Sequence, residues 1–330
     1  MEKFEGLKRS LSICFLVFVS VTVFGQKAKL ETKYHKQDNK DSIKGAGYYF
    51  DAATAKATAG DCSAAIDLYD KCISMDPDTY DAYYDRAFCK MQLQDYEAAI
   101  ADFTSCIRLH ISTYPNALYL RGSCFSQLKR YDMAISDFTK ALEKTSNADI
   151  SGARGYAYMK KGDFQNAISD YTNAISRNPE KSEFFGNRAL CLYQVHHLKE
   201  AVLDAQKYLE NNPSSPDIVE VEVRAYFEMK DYEKALAASQ NLVAVSKAPK
   251  SYYYKGLIEF TLKKYQQGIV DFSSAIYLDS TYRDAYYSRS LCYFALNNDS
   301  NACQDIRAAK RLGFPNLEGK IDSYCKDGKR

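Results

Sequence analysis

Histidine and cysteine are the residues of this chain with the most obvious reactivity, yet neither forms a familiar catalytic or metal-binding pattern. The four histidines are His35, His110 and the adjacent pair His196 and His197. No Cys-x-x-Cys or His-x-x-x-His spacing completes a metal site around them. The chain also lacks a glycine-rich phosphate loop and a Gly-x-Ser-x-Gly nucleophile turn. We therefore expect no catalytic residue, no cofactor and no bound metal.

A basic residue followed sixteen positions later by an aspartate recurs along the chain. The pairs are Arg86–Asp102, Arg121–Asp137, Arg154–Asp170, Arg188–Asp204, Lys255–Asp271 and Arg289–Asp305. The corresponding positions elsewhere hold Ala52 and Leu68, or Glu222 and Ala238, so the basic residue and the aspartate are present or missing together. We hypothesise a salt bridge within each repeating unit. The alternative is two solvated charges, which contribute only about 0–1 kcal/mol.

These charges belong to a longer period of about 34 residues. A small residue, followed in most copies by an aliphatic one, recurs at Ala65, Ala99, Ala134, Ala167, Ala201, Ala235, Gly268 and Ala302. Aromatic or aliphatic residues lie three positions before most of them, and aromatic residues lie four positions after. Offsets of three and four place side chains on one face of an α-helix. The pattern predicts an array of helical repeats.

Turn residues divide each repeat into two antiparallel helices. Gly60-Asp61 and Gly162-Asp163 mark inner turns, in which glycine relaxes the backbone and aspartate can cap the second helix. Asp76-Pro77 and Asn178-Pro179 end second helices, because the residue before proline avoids the α-helical region. A single unit cannot bury its own apolar face, whereas a stack of units can.

These segments resemble the tetratricopeptide repeat family, a helix-turn-helix unit of 34 residues with Gly/Ala-x-x-Tyr, then Ala, Phe or Tyr, Ala and Pro. The resemblance covers about eight copies between residues 46 and 314. It implies an all-α fold, a right-handed superhelical solenoid that serves as an interaction scaffold. The family's early tryptophan is absent, since the chain has no Trp. The sixth copy, around Glu222-Val223-Arg224, departs from the first-helix pattern, so we expect local irregularity there.

In that family the first helices line a concave face that binds peptides or a partner's helix. The aromatic residues of the first helices are therefore the candidate partner-binding residues: Phe50, Tyr84, Tyr119, Tyr193, Phe227, Tyr253, Phe260, Tyr287 and Phe294. Phe50, Tyr84, Tyr119, Tyr253 and Tyr287 share one column, in which Gly152 and Gly186 occupy the middle repeats; the other four lie further along the first helices. The alternative is that many of these tyrosines cover the core, with only the hydroxyl at the surface.

We interpret the chain as a non-enzymatic scaffold that binds a protein or peptide. A rival interpretation is a glycan-binding protein that stacks sugars on the same rings, although the lack of tryptophan weighs against it. Lys and Arg number 44 against 42 Asp and Glu, a net charge of +2. This balance argues against nucleic acid as a partner, because such binders carry a basic surplus.

The first 25 residues have the features of a signal peptide. Lys3, Lys8 and Arg9 precede an apolar run, Leu11–Phe24, that is too short to span a bilayer core of about 30 Å. We predict cleavage after Gly25, a flexible polar lead over 26–45, and export to the periplasm or the extracellular space without stable membrane insertion. An uncleaved signal anchor is the alternative.

Cysteine usage suggests one disulfide bond. Six cysteines occupy helix columns that face the core and are expected to be free thiols: Cys72, Cys89, Cys106, Cys124, Cys191 and Cys292. Cys303 lies on the last second helix, and a capping helix with a basic tail over 315–330 would place Cys325 beside it. Both cysteines are eleven positions from Phe314, about 16 Å along an antiparallel pair of helices. We predict a Cys303–Cys325 bond; Cys292–Cys303, or no bond, are the alternatives.

Overall fold

The computed structural model describes residues 45–109, 115–315 and 325. Within those residues it contains sixteen α-helices and no β-strand. The predicted signal peptide, 1–25, lies outside the described residues, as do almost all of the lead, 26–45, and of the capping helix, 315–330. The described residues form two compact units, divided between residues 180 and 181. Each unit is an α-solenoid of four helical hairpins, as the repeat pattern predicts.

Each hairpin consists of a first and a second helix. The first unit contains α1 (Ala46–Thr58), α2 (Cys62–Met75), α3 (Tyr80–Gln92), α4 (Tyr96–Leu109), α5 (Pro115–Gln127), α6 (Tyr131–Leu142), α7 (Ala148–Lys161) and α8 (Phe164–Arg177). The second contains α9 (Ser182–Gln194), α10 (Leu198–Leu209), α11 (Pro216–Glu228), α12 (Tyr232–Val245), α13 (Pro249–Thr261), α14 (Tyr265–Leu278), α15 (Arg283–Ala295) and α16 (Asp299–Arg311). Helix α11, in the irregular sixth copy, is continuous, so the sequence there changes side-chain contacts rather than the helix.

One left-handed residue reverses the chain inside every hairpin. These residues, all with positive φ, are Gly60, Gln94, Lys129, Gly162, His196, Lys230, Lys263 and Asn297. In four hairpins an aspartate follows and accepts a hydrogen bond from the backbone N–H three residues later, as predicted for a helix cap. The four aspartates are Asp61, Asp95, Asp163 and Asp231, at 3.2–3.3 Å.

Small residues and aromatic rings fill the space between helices. Ala65, Ala99 and Ala134 are fully buried, which lets neighbouring backbones approach closely. The aromatic residues four positions later complete the core: Tyr69, Phe103, Phe138, Tyr171 and Phe272 are all buried. The six cysteines expected in the core are buried, unbridged thiols. The columns read from the sequence are thus the contact surfaces between helices.

All six basic–aspartate pairs form salt bridges within their own hairpins, at 2.6–2.7 Å. Five are bidentate, with arginine Nε and Nη2 donating to the two carboxylate oxygens. The aspartates are only 3–6% exposed, so the alternative of two solvated charges is wrong.

The arginine also contacts the preceding hairpin, a contact that the sequence pattern did not predict. Its remaining nitrogen, Nη1, donates to a second-helix side chain one repeat earlier. The pairs are Arg86 with Asp70 (2.5 Å), Arg121 with Thr104 (3.0 Å), Arg154 with Thr139 (3.1 Å) and Arg289 with Ser273 (2.8 Å). One guanidinium group therefore closes its own hairpin and fixes the register of the neighbouring one.

The last helix ends where the sequence predicts. Helix α16 stops at Arg311, and Gly313 follows in the left-handed conformation with φ +84°. The structure joins Cys303 to Cys325 as a disulfide, with the Cα atoms 5.5 Å apart. The backbone carbonyl of Cys325 also accepts a hydrogen bond from Arg307 at 3.2 Å. The formation of this bond in the purified protein stays a prediction.

Candidate partner-binding face

The candidate aromatic residues of the first helices pack against the aromatic rings of the second helices. Ring centroids lie 5.9 Å apart for Phe50–Tyr69, 5.8 Å for Tyr84–Phe103, 6.0 Å for Tyr119–Phe138 and 5.8 Å for Tyr253–Phe272. Each pair belongs to one hairpin. These distances are those of favourable aromatic pairs. These four first-helix rings therefore contribute to the cores of their hairpins as well as to the first-helix surfaces.

Burial divides the nine candidates into two groups. Tyr84, Tyr193 and Tyr287 are 5–7% exposed and act as core residues. The other six are half-buried, so part of each residue reaches the surface: Phe50, Tyr119, Phe227, Tyr253, Phe260 and Phe294. We call these six residues the aromatic edges. Phe50 and Tyr119 lie in the first unit, and the other four lie in the second.

The hydroxyl groups of Tyr119 and Tyr253 stay protonated at physiological pH. Burial raises the pKa of Tyr119 to about 12, and the nearby charge of Asp149 adds to the effect. Burial likewise raises the pKa of Tyr253 to about 12, with a smaller contribution from Asp284. These tyrosines can donate hydrogen bonds and offer ring surface, but they are not activated nucleophiles.

In the sixth repeat, a cluster of charged side chains replaces the aromatic residue in the column of Tyr84 and Tyr253. Glu220, only 3% exposed, occupies the column. Its carboxylate accepts a hydrogen bond from the Tyr254 hydroxyl at 3.2 Å and pairs with Lys250 Nζ at 2.5 Å and Arg224 Nη1 at 3.6 Å. The Arg224 guanidinium lies 4.6 Å from the centre of the Tyr193 ring. Sequence reasoning missed this cluster; its signal was an acidic residue in an aromatic column.

Among the large hydrophobic side chains of the described residues, the most exposed lies on a second helix instead. Tyr277 of α14 is 89% exposed, and Val270 on the same helix is 59% exposed. Neither residue belongs to the first-helix columns from which the candidates were predicted. In the part of the chain that the structure describes, no group of three or more His, Cys, Asp or Glu side chains is arranged to hold a metal ion. None of the described helices combines the length and apolar character of a membrane span.

Comparison with known proteins finds tetratricopeptide repeat family models over residues 50–105, 115–144 and 153–216. Hsp70-Hsp90 organizing protein 1 of Glycine max is 33% identical over 89 residues, which are 27% of this chain and 16% of that protein. Tetratricopeptide repeat protein 13 of Homo sapiens is 31% identical over 146 residues, 42% of this chain and 17% of that protein. The chain thus matches about a sixth of the length of these relatives.

A solved structure shares the fold. The C-terminal part of a TPR repeat-containing protein from Cytophaga hutchinsonii superposes with a TM-score of 0.60 at 19% sequence identity. The match covers 72% of this chain and 98% of the other. At this identity the likeness concerns the architecture of the repeats alone.

Proposed function

Because the chain belongs to the tetratricopeptide repeat family, we propose that it is a non-enzymatic adaptor that binds a polypeptide on the first-helix faces of its hairpins. Repeats of this family mediate protein–protein interactions. The relative from Glycine max is named as an organizer of two other proteins, Hsp70 and Hsp90. The observation that carries the proposal is the set of six aromatic edges on first helices.

Packing against neighbouring rings fixes the rings of Tyr119 and Tyr253 in place before a partner binds. The Tyr119 ring is held against Phe138, and the Tyr253 ring is held against Phe272 and Tyr282, at centroid distances of 6.0, 5.8 and 5.1 Å. A ring that is already fixed loses little conformational entropy when a partner covers its free edge. These positions therefore provide contact area at a low ordering cost.

Carboxylates beside the rings favour a basic partner segment. The charge of Asp149 acts on Tyr119, and that of Asp284 acts on Tyr253. Lys and Arg side chains gain from a nearby carboxylate and from an aromatic face at the same time. We propose that the partner presents an extended or helical segment rich in Lys or Arg.

Site-specific photo-crosslinking tests whether the partner binds on the first-helix faces of the hairpins. A photoreactive phenylalanine replaces Tyr119 in one variant, Phe260 in a second and Tyr277 in a matched control, since Tyr277 is an exposed ring on a second helix. We expect one protein to be captured from an envelope extract at both first-helix positions and not at Tyr277. Equal capture at all three positions, or retention on polysaccharide resin without any protein crosslink, would contradict the proposal and favour the glycan-binding alternative.

We further propose that the protein is exported and acts in the periplasm or outside the cell. The support is the basic and then apolar composition of residues 1–24. Intact-mass measurement of the protein expressed with its native N-terminus tests this. Loss of residues 1–25 is expected, whereas a full-length, membrane-associated product would instead indicate an uncleaved anchor.

A further inference from the structure

Helix α14 has an outer face without charge. Its sequence, Tyr265–Leu278, contains one charged residue, Asp271, which is 5% exposed and paired with Lys255 at 2.6 Å. Each of the other seven second helices that the structure describes has at least one exposed charged side chain. The outer face of α14 instead exposes Val270 and Tyr277. In the column of Tyr277, the other repeats have small or charged residues: Ser74, Arg108, Glu143, Ser176, Glu210, Ala244 and Arg311.

Two serines lie between these exposed residues, and their hydroxyl groups already have hydrogen bonds within the chain. Ser273 Oγ donates to the carbonyl of Ile269 at 2.6 Å and accepts from Arg289 Nη1 at 2.8 Å. Ser274 Oγ donates to the carbonyl of Val270 at 3.0 Å. Covering the serines with another protein surface therefore leaves no buried donor unpaired. Their small size also allows a second helix to approach closely.

The spacing of this face is symmetric about its own centre. Val270 and Tyr277 lie equally far on either side of the point between Ser273 and Ser274. In an antiparallel pair of α14 helices with a twofold axis at that point, Tyr277 of each chain faces Val270 of the other. A groove beside Val270, lined also by Tyr252 and Ser274, is open to the incoming ring. The face is thus complementary to itself.

The charges at the two ends of α14 favour the same antiparallel arrangement. Lys263 and Lys264 are exposed just before the N-terminus of the helix, and Asp279 follows its C-terminus. About the twofold axis, Lys264 of one chain and Asp279 of the other differ by about 6 Å along the helix, which a lysine side chain can span. The antiparallel helix dipoles add to this attraction, whereas a parallel pair would place the lysines together.

We propose that α14 is an interface between two copies of this chain, which pack their α14 helices antiparallel about a twofold axis between Ser273 and Ser274. This inference does not depend on the partner-binding proposal, because α14 is a second helix and the proposed partner binds first helices. A contact centred on one helix pair is smaller than the about 1,600 Å² of a standard interface, so the dimer is weak and depends on concentration.

Sedimentation velocity of the purified full chain at increasing concentration tests the proposal. We expect a monomer that converts reversibly to a dimer. Tyr277→Glu should raise the dissociation constant of the dimer by about tenfold or more, because its carboxylate would be covered without a partner. Tyr277 is 89% exposed, so this change leaves the fold intact. The control is Leu203→Glu, which alters the exposed residue of α10 in the column of Val270 and should leave the dissociation constant unchanged.

A pair of opposite charges tests the antiparallel register. Val270→Lys alone should weaken the dimer as Tyr277→Glu does. The double variant should recover at least about tenfold of the lost affinity, since each introduced lysine then faces a glutamate of the other chain. The two positions are about 10 Å apart within one helix, so the new charges do not pair inside a chain.

Several results would overturn the proposal. These are a wild-type chain that is monomeric at every concentration, a dimer that Tyr277→Glu leaves intact, or a double variant as weak as the single ones. A photoreactive phenylalanine in place of Tyr277 adds an independent measurement, for which we expect a product with twice the mass of the chain. A crosslink from that position to another part of the same chain, or to a different protein, would show that something else covers α14.

Discussion

At the scale of single residues, the arginines of four repeats each make a double contact that depends on the geometry of the guanidinium group: Arg86, Arg121, Arg154 and Arg289. The planar guanidinium donates two parallel hydrogen bonds to the aspartate of its own hairpin, and Nη1 remains for the hairpin before it. In the seventh repeat a lysine takes this place. Lys255 Nζ lies 2.6 Å from Asp271 and 3.4 Å from Glu259, so a second carboxylate occupies the space around the smaller cation.

Removing one of these arginines should therefore destabilise the protein far more than removing an arginine from an exposed ion pair. Arg121→Met leaves Asp137, which is 3% exposed, without its bidentate partner. We expect a loss of about 3 kcal/mol in the free energy of unfolding. The control is Arg130→Met, since Arg130 and Glu97 have side chains 45% and 58% exposed; we expect a loss below about 1 kcal/mol. Urea denaturation of both variants measures the difference, and equal losses would show that the pair contributes little.

Glu259 gives the second unit a pH-sensitive group. Burial, followed by a hydrogen bond to Asp271 and the negative charge of Asp271, raises the pKa of Glu259 to about 7, while Lys255 opposes the shift. A pKa above the ordinary value of 4.5 means that folding favours the protonated form. The resulting stabilisation is complete below about pH 4.5 and is lost as the pH rises through about 7.

We accordingly expect the free energy of unfolding to fall by about 2 kcal/mol between pH 5 and pH 8 because Glu259 ionises. Glu259→Gln, which keeps the shape of the neutral acid, should remove this part of the pH dependence. Glu233→Gln, at an exposed position of α12, serves as the control and should leave it in place. Unfolding curves at several pH values measure this difference. If the free energy of unfolding depends on pH in the same way in wild type and in Glu259→Gln, Glu259 is not the responsible group.

At the scale of the helical elements, the left-handed inner turn is the common feature of all eight described hairpins. Only two of these turns use glycine, at Gly60 and Gly162, although a side chain in this conformation is strained. The other six turns tolerate Gln, Lys, His or Asn because packing of the two helices fixes the turn. Helix packing, rather than the turn residue, therefore sets the hairpin geometry.

Two glycine substitutions separate backbone strain from packing. Gly162 has φ +82°, and a Cβ atom there would meet no atom within 4 Å, so Gly162→Ala adds strain alone. We expect a destabilisation of about 1–2 kcal/mol. Gly47 lies within α1, also with open space around its Cβ position and without a positive φ. Gly47→Ala should stabilise the protein by up to about 1 kcal/mol. Thermal unfolding of both variants checks the opposite signs.

At the scale of the whole molecule, the predicted Cys303–Cys325 disulfide would tie the C-terminal segment to the last helix. Cys303 and Cys325 are separated by 22 residues in sequence. Closing a loop of this length contributes about 3 kcal/mol, mainly through the entropy of the unfolded chain. The bond would also hold Cys325 against α16, where Arg307 donates a hydrogen bond to its carbonyl oxygen.

Peptide mapping without reductant should recover Cys303 linked to Cys325, with Cys292 free. Cys325→Ser should release residues after α16 to early proteolysis, whereas the buried thiol variant Cys292→Ser should leave that cleavage rate unchanged. Free thiols at both Cys303 and Cys325, or a Cys292–Cys303 peptide, would contradict the expected pairing.

The sequence by itself determined the helices, their hairpin turns and the pairing of charges within each hairpin. These features follow from offsets of three, four and sixteen residues, which a regular helix and a short turn convert directly into proximity. The period of 34 residues repeats this local geometry, so each copy supports the interpretation of the others. The buried positions of Ala65, Phe103 and Cys124 could be predicted in this way.

Only the tertiary structure decided which side chains meet across neighbouring hairpins. The contact of Arg86 with Asp70 and the cluster around Glu220 both join different repeats. The same holds for the candidate face, because Tyr84 is buried whereas Tyr119, in the same column, is half-exposed. A sequence column fixes the face of a helix on which a residue lies. How deeply that residue is buried depends on the width of the gap between neighbouring helices and on the side chain opposite. The period of the sequence specifies neither.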